Sequence, residues 1–155
     1  MKQLTWKLVL PLTIIFFATI TKWWYVSPVD APETLYSGFP FPFMGDGWHT
    51  SMSLQFFVFE FFVDFTIYFI LCFITLFYIN RFLIAVKIHK MLMMGLWTIS
   101  VFIISLIIFI ASFPDNIFYF KRPYNMEIIE TGYKFYWQHL ERPNYYKYHP
   151  QSKRS

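Results

Sequence analysis

Hydrophobic residues in this chain come in long blocks separated by polar stretches, without the spacing of a soluble core. Three blocks approach the roughly 20 apolar residues that carry a helix across about 30 Å of hydrocarbon. The first, about 8–25, reads LVLPLTIIFFATITKWWY. The second, about 54–79, reads LQFFVFEFFVDFTIYFILCFITLFYI, and the third, about 91–113, reads MLMMGLWTISVFIISLIIFIASF. Each predicts a transmembrane helix. Thr50, Ser51 and Ser53 are suitable caps for the start of the second.

The intervening stretches differ in kind. Residues 26–53 are rich in Pro, Gly and Phe and carry Asp30, Glu33 and Asp46 with no Lys or Arg. That composition predicts an ordered outer loop with neither a regular helix nor a central strand. The tail, 114–155, is polar, but over 125–140 (NMEIIETGYKFYWQHL) its pattern is helical. Met126, Ile129, Tyr133, Tyr136, Trp137 and Leu140 fall on one face, with Glu127, Glu130, Thr131, Lys134 and Gln138 opposite. This predicts an amphipathic helix lying in the membrane interface. The expected fold is therefore an all-α membrane protein, with a three-span membrane domain at 1–113 and a polar tail at 114–155.

Composition agrees with that class. With 57% hydrophobic, 25% aromatic and 14% charged residues among 155, charge is too scarce to coat a soluble domain of this size. The net charge of +4 sits beside apolar runs and in the tail, and no dense Lys/Arg cluster or recognition module argues for nucleic acid. Cys72 is the only cysteine, so no intramolecular disulfide forms. The first block could also be a signal peptide, but Trp23, Trp24 and Tyr25 follow it and Pro32 follows the small-residue candidate at Ala31, which favours a retained helix. Lys2, Lys7, Arg81, Lys87 and Lys90 fall on one side of the expected spans and the acid-only loop on the other. The positive-inside tendency then sets the N-terminus inside, with a bacterial inner membrane as the expected compartment, although the basic residues of the tail pull the other way.

Candidate chemistry centres on the second block. On a helix, Glu60 and Asp64 lie about 40° apart, and Tyr68, Thr75 and Tyr78 extend the same polar stripe. An ionisable group inside a membrane span costs at least ~2.5 kcal/mol and marks either an interhelical contact or an ion path. Asp46, Trp48 and His49 are expected at the outer junction of loop and helix. In the third block Thr98, Ser105 and Ser112 recur every seven residues as a small-residue packing seam. His49, His89, His139 and His149 are scattered, and no catalytic or metal-binding motif is present, so no enzyme activity, metal or cofactor is expected. The reading is an accessory or assembly subunit that packs against other membrane helices, with the lipid bilayer and a membrane-protein partner or further copies of itself around it. The alternative is a proton- or cation-conducting component of an oligomer, built on Glu60 and Asp64.

Overall fold

The computed structural model describes residues 5–28, 32–47, 50, 53–83, 89–138 and 148. A π turn, Thr5–Val9, leads into helix α1 (Leu10–Thr19), which runs directly into strand β1 (Ile20–Pro28). Strands β2 (Thr34–Ser37), β3 (Met44–Asp46) and β4 (Leu54–Phe57) follow, then helix α2 (Val58–Tyr78) with a π turn at Ile79–Leu83. Helix α3 (Lys90–Ala111) returns to strands β5 (Ile117–Tyr119) and β6 (Met126–Phe135). The six strands form one mixed sheet in the order β5-β4-β3-β2-β1-β6, antiparallel except for the β4/β5 pair.

The fold is thus mixed α/β, with three helices and a six-stranded sheet, and the all-α assignment is corrected. Among the described residues two helices, not three, are long and apolar enough to cross a membrane: Val58–Leu83, mean hydropathy 2.2, and Lys90–Ala111, mean hydropathy 2.5. The description of the chain as a wholly helical integral membrane protein falls with the same finding, because segments assigned to membrane helix form sheet.

The first predicted span divides at Ile20. Pro11 sits in the first turn of α1, where its missing N–H costs nothing. From Ile20 onward, ITKWWYV is a run of β-branched and aromatic residues that packs better on a pleated surface than in a helix. Ile20 turns to extended geometry (φ −117°, ψ 128°), and β1 pairs antiparallel with β6 from Ile20↔Phe135 to Pro28↔Met126, with one irregularity at Tyr25/Val26.

Strand β6 replaces the amphipathic helix predicted over 125–140. Ile128, Ile129, Thr131, Tyr133 and Phe135 are strand formers. From Glu130 to Phe135 burial alternates every second residue: Glu130, Gly132 and Lys134 are half-buried, Thr131, Tyr133 and Phe135 exposed. Gly132 is required there, since a Cβ would lie 2.6 Å from Nε1 of Trp23 on the paired strand. The stretch 136–138 lies beyond the strand, and residues 139 and 140 lie outside the described set.

The loop assignment for 26–53 is corrected as well. Strands β2 and β3 lie inside it, yet they are only four and three residues long and fit between the prolines. Pro28 ends β1, while Pro32, Pro40 and Pro42 fall in connections where no ladder N–H is needed. The start of the second helix also moves, because Leu54–Phe57 pairs as β4 and α2 begins at Val58 without a side-chain cap. Ser53 Oγ donates to Thr50 O at 3.0 Å and closes a turn before β4, so these residues end a loop and do not cap a helix; Ser51 lies outside the described residues.

Trp24, Val26, Tyr36 and Phe57 form the sheet core, with Tyr119, Tyr124 and Met126 against it. Helix α1 packs against both α2 and α3, whereas the two long helices have no extensive contact with each other. Trp6, ahead of α1, meets Trp97 of α3 with ring centroids 5.8 Å apart, and the buried Ser100 hydroxyl donates to Pro11 O at 3.2 Å. All six strands meet at one end of the helices, and the turn after α2 lies at the other.

Candidate functional site

Where α1 and α2 meet the sheet, aromatic rings pack around Phe17. Its ring stacks on Phe43 at 5.3 Å and meets Phe61, Phe65 and Tyr68 edge-on at 5.3, 5.6 and 5.4 Å. Three of these come from positions 61, 65 and 68 of α2, the face that also carries position 64. The turn between β2 and β3 closes over this face. It is shaped at Gly38, whose φ of 151° and approach to Phe41 O leave no room for a Cβ. Gly38 is tied to β1 on both sides: its N–H donates to Lys22 O at 2.9 Å, and its carbonyl accepts from Trp24 Nε1 at 2.8 Å.

Asp64 lies beneath that turn with 0% of its surface exposed. Its Oδ1 accepts a hydrogen bond from the Phe41 N–H at 3.1 Å, and the Phe39 N–H interacts with the same carboxylate. Its Oδ2 is enclosed and has no partner. Glu60, one helical turn earlier, is half-buried and also holds one enclosed oxygen, Oε2, without a partner. The two carboxylates interact electrostatically. Among the described residues these two atoms are the only buried side-chain polar atoms left without a hydrogen bond. An unsatisfied buried polar atom costs about 1–3 kcal/mol, and more when charged.

Below Asp64 the stripe continues only in part. The Tyr68 hydroxyl donates to Ile20 O at 2.8 Å, fastening α2 to the α1/β1 junction. Thr75 is exposed on the wall of an apolar cleft of ≈ 410 Å³, which Phe16, Phe39, Tyr68, Cys72 and Tyr133 also line. Tyr78 is exposed, with its ring 4.9 Å from Phe82. Of the expected outer junction, Trp48 and His49 lie outside the described residues. Asp46 ends β3, its carbonyl accepts from Gln55 Nε2 at 3.1 Å, and its charge acts on Tyr36 and Lys134. Thr98, Ser105 and Ser112 are exposed, each donating to the carbonyl four residues back, at 2.9, 2.9 and 2.7 Å.

Two polar features escaped the sequence reading. Ser100, fully buried against Pro11, lies about 200° around the helix from Thr98 and so faces away from the seven-residue seam. Its signal was a lone hydroxyl on the opposite side of α3. The second is a chain within the sheet: Tyr36 Oη and Tyr124 Oη are 2.7 Å apart, Tyr124 Oη donates to Gln55 Oε1 at 2.8 Å, and Gln55 Nε2 donates to Asp46 O. Burial raises the pKa of both phenols, most for Tyr36, and the Tyr36 contact works against the rise at Tyr124. Gln55 alone could have signalled this network, as the one amide in the apolar run LQFF.

The arrangement offers no nucleophile beside a base, and no group of three His, Cys, Asp or Glu side chains converges among the described residues. The chemistry available at the junction is that of two adjacent carboxyls, Asp64 buried and Glu60 half-buried. Comparisons of the chain with protein-family models, with curated proteins and with solved structures return no match.

Proposed function

We propose that the protein is a membrane-associated assembly subunit, held in the bilayer by α2 and α3 and presenting its six-stranded sheet at one membrane surface. The supporting observation is the exposure of the long helices. Only 6% of each apolar window is buried within the chain, and Met91, Phe102, Ile108 and Phe109 of α3 are 60–77% exposed. Covering a large apolar side chain is worth about 1.5–3 kcal/mol, so such a surface is stable only against lipid or other apolar helices. The exposed Thr98, Ser105 and Ser112 line offers a place for a neighbouring helix to approach closely.

An orientation is part of the same proposal. All described strands gather at one end of the helices; Arg81, in the turn at Ile79–Leu83, and Lys90, the first residue of α3, lie at the other. The contact of Trp6 with Trp97, about 10 Å along α3 from Lys90 by helical rise, sets the start of the chain toward that basic end. With that basic end on the cytoplasmic side, as the positive-inside tendency favours, the sheet lies on the outer side, and a bacterial inner membrane is the proposed compartment.

Two experiments test this reading. The full chain should stay in the membrane fraction through alkaline carbonate washing and dissolve only with detergent; release by carbonate overturns the bilayer placement. Purified in mild detergent, it should carry a stoichiometric membrane-protein partner or further copies of itself, and a clean monomer overturns the assembly role.

A further inference from the structure

Glu60 and Asp64 do not complete their hydrogen bonding within the fold. Asp64 is wholly buried, one oxygen takes the Phe41 N–H, and the other faces no donor; the enclosed Oε2 of Glu60 faces none either. The residues are four apart on one helix, where side chains stand about 5–6 Å apart at Cβ and the longer Glu can reach forward to Asp64.

Among the described residues the surroundings supply no counter-charge. The turn over Asp64, residues 38–43, contains no titratable side chain, and neither does α1, residues 10–19. The phenols of Tyr68, on the same helix, and Tyr136 act on Asp64 and carry no positive charge. Neither carboxylate has a cationic partner among the described residues. Two anions in such a place repel each other and leave two oxygens unsatisfied. One added proton removes both problems, since a protonated carboxyl donates its O–H to the remaining carboxylate and the pair keeps a single negative charge.

We propose that Glu60 and Asp64 form a proton-binding site that holds one shared proton between Asp64 Oδ2 and Glu60 Oε2. The proton is taken from solvent on folding, and the retained negative charge stays on the carboxylate pair, where the Phe39 and Phe41 N–H groups donate to Asp64. The site requires neither the bilayer placement nor the assembly role, so its failure would leave both standing.

Infrared spectroscopy of the full chain in detergent, with the aspartate and glutamate side-chain carboxyls isotopically labelled, tests the site. At neutral pH the expected result is the C=O band of one protonated carboxyl per chain, shifting to lower frequency in D2O. In Asp64→Asn or Glu60→Gln the new amide supplies the missing donor, so either single substitution should abolish the band while preserving the far-ultraviolet circular dichroism. Three results would overturn the proposal. One is wild-type carboxyls that show only ionised bands; another is a protonated band that emerges only when alkali cations are replaced by a bulky organic cation, which makes the occupant a metal cation; the third is a band that persists in both variants, which assigns it elsewhere. The wild-type spectra decide the first two even if a variant fails to fold.

Discussion

Two buried polar groups in this molecule invite comparison: the Tyr36–Tyr124–Gln55 chain in the sheet and the Glu60/Asp64 pair at the helix junction. In the first, every link ends on a partner, from Tyr36 through Tyr124 and Gln55 to the Asp46 carbonyl. In the second, two oxygens end on nothing. A closed network of neutral groups fixes strand order and needs nothing from outside, whereas an open pair of acids has to take up something to be stable. Burial alone therefore does not separate the two groups; completeness of hydrogen bonding does.

The comparison can be broken by substitution. The largest effect is expected for Phe57→Ala, which empties a fully buried position between Tyr36, Tyr119 and Tyr124 and should cost about 3–5 kcal/mol in denaturant unfolding. Next comes Gln55→Leu, which strips the acceptor from the Tyr124 hydroxyl and should cost about 1–3 kcal/mol. Tyr36→Phe removes one end of the chain and should cost about 1 kcal/mol. It should also change the pH dependence. Tyr36 and Tyr124 have pKa values raised in the fold above the ordinary 10.0, so the native state binds more protons than the unfolded state above pH 10. Their stabilising contribution is complete below pH 10 and is lost as pH rises further, and Tyr136, pushed up to about 12 by burial, adds to the loss. Melting curves of Tyr36→Phe should fall less steeply between pH 10 and 12 than those of the wild type. The smallest effect is expected for Asp64→Asn, below about 1 kcal/mol near neutral pH, because its oxygen still accepts from Phe41 and its amide serves Glu60. A loss comparable to that of Gln55→Leu would mean that the pair is as closed as the tyrosine chain.

What the sequence disclosed depended on how local each signal was. Helices α2 and α3 were legible because length and unbroken apolar character act residue by residue, and Glu60 and Asp64 stood out as charges in such a run. The sheet was not legible, since its ladder joins segments distant in sequence: Trp23 faces Gly132, and Gln55 faces Ile117. The stretch 125–140 satisfied a helical period as well as a strand period, and only the partner strand β1 decides between them. For 26–53 the prolines suggested an irregular loop, while strands of three and four residues fitted between them. The site was half visible: the acids could be named, but the turn whose N–H groups hold Asp64 could not, because it is shaped by contacts to Lys22 and Trp24 on β1.

The β1/β6 ladder also sets an order of events. Its partners, such as Trp23 and Gly132, are about 100 residues apart, a separation whose loop-closure entropy slows pairing. During synthesis β1 emerges first and has β2 on one side, but its other edge stays open until both long helices and β5 have been made. Sheet completion is thus coupled to the arrival of the C-terminal segment. A chain ended before Met126 would present the Trp23, Trp24 and Tyr25 strand as an unpaired edge, the kind of surface that recruits another chain.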